Sequence, residues 1–171
     1  MEAILIVEFN SIPIGIKTLD IILKKSNVEI YRAGVACPGK YFFIVYGTNE
    51  DINYCSNQID KTGKFEIISG VSKKLIEILG KNKTKNIDDA IGIVEFFTIS
   101  EGVKALDMIL KSSSVEAIKL RLGNGIAGKS YFIVSGDISS VTEAMLQVEK
   151  TIKYKSYEII NNPIKELSTF I

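Results

Sequence analysis

A heptapeptide written twice limits this chain more than any other feature. Ala3-Ile4-Leu5-Ile6-Val7-Glu8-Phe9 returns 87 residues later as Ala90-Ile91-Gly92-Ile93-Val94-Glu95-Phe96. At the same spacing Gly15, Lys17, Leu19, Asp20, Leu23, Lys24, Ser26, Val28 and Glu29 all meet identical residues. Gly39-Lys40-Tyr41-Phe42-Phe43-Ile44-Val45-Tyr46-Gly47 then matches Gly128-Lys129-Ser130-Tyr131-Phe132-Ile133-Val134-Ser135-Gly136 at a spacing of 89. Phe65-Glu66-Ile67-Ile68 matches Tyr157-Glu158-Ile159-Ile160 at 92. A repeat of this length reads as one supersecondary unit used twice. The chain is therefore expected to hold two small like domains, residues 1–82 and 88–171, joined through the polar stretch Lys81-Asn82-Lys83-Thr84-Lys85-Asn86.

Each copy follows the same order of elements. Residues 3–9 are a near-continuous apolar run, the pattern of a strand covered on both faces. A helix follows, with Ile16, Leu19, Ile22 and Leu23 on one stripe and Pro13 in its first turn. Its second copy opens on Thr98 and Glu101, spaced as a capping box. Ile118, Leu120 and Leu122 alternate with Lys119 and Arg121, which predicts a half-buried strand. Tyr41 to Tyr46 forms another. Ile52, Cys55 and Ile59 then recur at helical spacing, mirrored by Val141, Ala144 and Val148. Phe65 to Ile68 is the last strand, and short helices are expected over Lys73–Leu79 and Lys165–Phe170. The order βαββαβ is the ferredoxin-like one, an α/β fold of the α+β kind with both helices on one face of an antiparallel sheet.

Composition narrows the chemistry. Nearly half of the 171 residues are apolar and a quarter charged, which suits globular domains with a substantial core. The net charge of +1 supplies no field to attract nucleic acid or an anionic membrane surface. The N-terminal apolar run is too short for a secretory signal, and no run approaches the roughly 20 residues that span a bilayer. A cytoplasmic protein is expected. With no histidine, the usual general base and every Ser–His or Cys–His nucleophile are excluded. No Gly-rich phosphate loop leads into a helix, and no carboxylate pair stands out; an enzyme is not expected. Glu8 and Glu95 hold repeat-equivalent strand positions, which argues for structural bonding before chemistry.

Two cysteines remain. Cys55 lies on an apolar helical stripe and its counterpart is Ala144, so it reads as small core filler. Cys37 is different. It falls in Ala36-Cys37-Pro38-Gly39-Lys40, a short loop between two strands. Pro38 restricts Cys37 to extended backbone angles, and Gly39 leaves the sulfur open to close approach. One thiol cannot hold a metal alone. The corresponding loop of the second copy is two residues longer, Gly-rich and without cysteine.

These strands, the helix ending Ala105-Leu106-Asp107-Met108-Ile109-Leu110-Lys111 and the loop Gly125-Ile126-Ala127-Gly128-Lys129 together resemble bacterial microcompartment shell domains in both halves of the chain. Within that family the chain is similar to the tandem-domain, unpermuted type, and in Cys37-Pro38-Gly39-Lys40 to the iron–sulfur-binding type of the propanediol-utilisation shell. The resemblance implies a homotrimer that mimics a hexameric tile and assembles with other shell proteins. It implies that Ala36, Pro38, Gly39, Gly125, Ile126, Ala127 and Gly128 line a central pore. Three Cys37 thiolates would hold one [4Fe-4S] cluster there, to pass electrons or a cluster across the shell, with a lumenal or cytosolic redox enzyme as a further partner. A bare thiol in a metabolite pore and a Zn²⁺ site stay open as alternatives. Lys24 and Lys111 match the family's tile-edge lysine. Where many members carry Arg-Pro after the last strand, this chain has Ser69-Gly70-Val71 and Asn161-Asn162-Pro163.

Overall fold

A computed structural model describes residues 2–80 and 86–171, so the expected joint lies outside the described residues except for Asn86. The chain divides into two compact units, Met1–Val71 with Gly123–Gly128, and Ser72–Leu122 with Lys129–Ile171. In the first, β1 (Glu2–Phe9), α1 (Ile12–Lys25), β2 (Glu29–Ala36), β3 (Lys40–Thr48), α2 (Asn49–Ser56) and β4 (Gly63–Ser69) follow one another. The second begins with α3 (Lys73–Gly80) and continues through β5 (Ala90–Phe96), α4 (Ile99–Ser112), β6 (Glu116–Leu122), β7 (Ser130–Gly136), α5 (Ile138–Thr151) and β8 (Ser156–Asn161). A short 3₁₀ helix, Lys165–Thr169, follows where a last α-helix is expected.

Both sheets are antiparallel, in the orders β2-β3-β1-β4 and β6-β7-β5-β8. The central strand of each is the repeated heptapeptide, and β1 is buried from Ala3 to Phe9. Ala3, Leu5, Val7 and Phe9 share a face with Phe43 and Val45, and pack there on Leu19, Ile22, Ile52 and Cys55 from the two helices. Fully burying a side chain such as Leu5 or Phe43 contributes about 1.5–3 kcal/mol. The helix starts match their signals. Thr98 and Glu101 form the reciprocal capping box of α4, and Pro13 stands at the start of α1.

Three local readings change. In α1 the buried stripe is Gly15, Thr18, Leu19 and Ile22, while Ile16 and Leu23 are 50% and 40% exposed. The covered stripe is centred between Leu19 and Ile22, which turns those two side chains outward. α2 ends at Ser56. Ile59 reaches the core from the turn beyond it, where Asp60 accepts from the Thr62 N–H. In β6 a register shift between Ala117 and Lys119 makes Ile118 an extra residue. Ile118 consequently leaves the face of Leu120 and Leu122 and packs with Ile91 and Ile133. The same shift stands between Ile30 and Arg32 in β2. The helix α3 packs on α4 and β6, within the second unit.

Close contacts single out one helical glycine. A Cβ on Gly102 would lie 2.1 Å from Ser130 Oγ, which donates to the Thr98 carbonyl at 2.6 Å. Gly102→Ala should lower the denaturant midpoint by an amount equivalent to about 1–3 kcal/mol. Gly34→Ala, where nothing lies within 4 Å, should shift it by less than about 0.5 kcal/mol.

Candidate functional site

β2 ends at Ala36 and β3 begins at Lys40, so the loop singled out in the sequence is a tight turn. The Gly39 N–H donates to the Ala36 carbonyl at 3.1 Å and the Cys37–Pro38 peptide is cis, giving a type VI turn. Gly39 closes it at φ 86°, a conformation that glycine adopts freely. Cys37 is exposed at its tip, while Cys55 is buried and donates to Ser26 Oγ at 3.1 Å. Burial pushes the Cys55 thiol pKa up, against the Ser26 bond that lowers it. Of the two sulfurs only Cys37 is accessible.

The loop between β6 and β7 completes the site, and its residues Gly123–Gly128 belong to the same compact unit as Cys37. The Gly123 carbonyl accepts from the Cys37 N–H at 3.4 Å and from the Gly128 N–H at 3.1 Å. Gly128, at φ 73°, leaves so little room that a Cβ would stand 2.1 Å from the Cys37 carbonyl oxygen. The Cys37 residue is thus held at its N–H and confined at its C=O by glycines of the second repeat. Gly123, Gly125, Ala127 and Gly128 all take positive φ, which compresses the longer loop against the shorter one.

Among the expected pore residues, Cys37, Pro38, Gly39, Gly125 and Ala127 are exposed and Ile126 is half-buried, whereas Ala36 and Gly128 are buried and serve packing. Gly123 was missed by sequence reasoning. Its signal is the glycine standing where the first copy has Ala36, just before the two-residue insertion. Lys24 and Lys111 close their helices in equivalent ways, each paired with an aspartate one turn back, Asp20 and Asp107. Among the described residues no group of three or more His, Cys, Asp or Glu is placed to hold a metal ion.

Glu95 is structural in the way its repeat position suggests. It accepts from Lys155 at 2.7 Å and from Lys129 at 3.1 Å. The Lys155 bond, ahead of the opposing effect of burial, lowers its pKa from the ordinary 4.5.

A βαββαβ unit occurring twice, with paired loops between its second and third strands, defines a tandem shell-domain protein. The BMC domain profile matches residues 3–77 and 90–163, and the chain belongs to that family. It is a structural shell protein of bacterial microcompartments. The bacterial microcompartment shell protein PduT of Citrobacter freundii is 27% identical over 152 residues, spanning 84% of this chain and 81% of that one. The crystal structure of a microcompartment protein from Desulfitobacterium hafniense DCB superposes with a TM-score of 0.87 at 28% identity, covering 99% of both chains. The fused permuted hexameric shell protein of the RMM microcompartment shares the fold, with a TM-score of 0.56 at 14% identity over 87% of this chain and 82% of that one. Among the described residues no helix is long and apolar enough to cross a membrane.

Three outcomes follow from this geometry. Gly128→Ala should cost more than Gly125→Ala. The latter carries only the left-handed backbone penalty of about 1–2 kcal/mol, whereas the former also collides with the Cys37 carbonyl. Thermal melts would rank them, and a thiol reagent should modify Cys37 in the native protein and Cys55 only on unfolding. Because the Glu95 pKa is depressed by folding, its stabilisation is fully present above 4.5 and is lost as pH falls through its lower folded value. The stability difference between wild type and Glu95→Gln should therefore be present at neutral pH and vanish in acid.

Proposed function

We propose that the chain forms a non-enzymatic homotrimeric tile of a cytoplasmic microcompartment shell, and that one Cys37 from each copy holds a [4Fe-4S] cluster at the tile's centre. The observation that carries this reading is the exposed Cys37 thiol on a turn pinned by the second repeat's glycine loop. The donor chemistry fits, since thiolates are the ligands of such clusters. It also requires several chains, because Cys55 is locked in the core and, among the described residues, one chain brings no three His, Cys, Asp or Glu together to hold a metal. Closed three-fold symmetry repeats one surface feature around its axis, and so supplies three thiols where each chain supplies one.

In this reading Cys37 binds, the turn Ala36–Gly39 orients its sulfur, and Gly123–Gly128 shape the rim without ligating. The bound group supplies one-electron exchange. Electrons, or the cluster itself, thereby pass between cytosol and lumen, with other shell proteins at the tile edge near Lys24 and Lys111 and a redox enzyme as exchange partner. The repeats 1–82 and 88–171 each contribute one sector of the tile. The rival within the same family, a metabolite pore lined by a free thiol, is favoured by the small, uncharged, exposed residues Gly39, Gly125 and Ala127 around the turn.

Anaerobic reconstitution with iron and sulfide separates the two. The wild type should bind about four iron and four sulfide per three chains and become paramagnetic on reduction. Cys37→Ser should lose both and Cys55→Ser neither. Iron content equal in wild type and Cys37→Ser would leave the open-pore reading standing.

A further inference from the structure

We infer that Lys40 supplies the positive charge that makes the Cys37 turn a site for an anion. This deepens the proposed function and rests on it only for the convergence of several copies. The two loops that meet at the turn, Ala36–Lys40 and Gly123–Lys129, carry charge at Lys40 and Lys129 and nowhere else. These two lysines are repeat equivalents at the spacing of 89, and both are half-buried.

The structure uses them differently. Lys129 is tied to Glu95 of β5 at 3.1 Å, a carboxylate that Lys155 shares at 2.7 Å. Lys40 has no ion-pair partner among the described residues. Its backbone stands opposite Ala36 in the β2–β3 register, so it flanks Cys37 across the turn. Its Cδ lies 3.7 Å from the point a Cβ on Gly128 would occupy, the same point that is 2.1 Å from the Cys37 carbonyl oxygen. The space left by the missing side chain of Gly128 thus admits both the Cys37 carbonyl and the Lys40 stem. A lysine stem laid along such a surface keeps its ammonium in water.

An unopposed cation beside residues without charge attracts anions, and salt screens that attraction. Three copies around one axis repeat the charge with each thiol. A [4Fe-4S] cluster on three thiolates suits that field, since the thiolates outweigh the positive charge of its core. Net charge is one of the factors that set the potential of such a group. Lys40 therefore favours the more negative, reduced form and raises the potential. A free anionic metabolite at an open pore would draw on the same charge.

The cluster-free full chain tests the charge directly, because Cys37 is its one accessible thiol. Thiol–disulfide exchange is timed with a dianionic reagent, 5,5′-dithiobis(2-nitrobenzoate), and with a neutral one, dithiodipyridine. The ratio of the two rates reads the field at the sulfur and cancels the thiolate fraction. At low salt Lys40→Gln should lower that ratio by about fivefold, and Lys40→Arg should preserve it. Lys129→Gln should change it by less than about twofold, and about 1 M salt should bring wild type down to the Lys40→Gln value. Lys40→Met replaces Lys40→Gln if circular dichroism shows the latter misfolded. After reconstitution with iron and sulfide, Lys40→Gln should also show a more negative midpoint potential than wild type. A ratio unchanged in Lys40→Gln, or lowered equally by Arg121→Gln on β6, overturns the assignment whether or not a cluster forms. A lowered ratio in a chain that takes up no iron upholds Lys40, overturns the cluster, and leaves a free anion as the occupant.

Discussion

A strand buried on both faces has to be covered twice, and the two helices of a βαββαβ unit cover only one face of its sheet. β1 is buried from Ala3 to Phe9, and in β5 Ile91 lies on the face turned away from the helices yet is fully buried. For β5 part of that second cover is Leu167 and Ile171, brought back by the C-terminal stretch. α3 plays the comparable part for α4 and β6. The segments that follow the fourth strand of each repeat are thus lids, and each must find an apolar surface to close. Hydrophobic burial is the dominant favourable term in both folding and association, so a surface left bare by the chain itself is where association can gain most.

This explains what the sequence made legible. Element order followed from hydrophobic period, and the repeat checked each assignment against a second instance. The capping box at Thr98 and the core role of Cys55 could be read because each depends on local spacing or on a counterpart such as Ala144. The misreadings share a cause. An apolar stripe that includes Ile16 and Leu23 states that those positions want cover, but not whether their own chain provides it. Period-2 alternation cannot register an inserted residue, so Ile118 was assigned to the wrong face. Ile59 kept its core position while losing its helix, because burial and helical geometry are separate demands that short segments can satisfy separately.

The site was legible in its residue and not in its support. Cys37 stands out because a thiol beside Pro38 and Gly39 has no counterpart in the other repeat. That Gly123 receives the Cys37 N–H, and that Gly128 leaves no room beside its carbonyl, depends on two loops distant in sequence meeting in one unit. No local pattern announces that. The glycines themselves were visible, but glycine states only that a backbone must be free or close, and the partner has to be seen.

The two repeats have diverged little where they build the central strands and more at this loop, where the spacing grows from 87 to 89 residues, as it grows again to 92 before the last strand. Duplication makes that possible. In a ring of identical single domains every loop carries the same residue, so a thiol at the tip would appear once per domain. In a tandem chain one loop can keep the thiol while its neighbour lengthens and turns to glycine, halving the number of sulfurs without altering the sheet that positions them. The second loop then gains a different task. It fixes the backbone of the first, so that a residue on an exposed turn is presented in one conformation. On the proposed reading of Cys37, a ligand supplied once per chain would gain most from such fixing, since every copy would have to present its sulfur in the same way for symmetry to bring equivalent atoms together.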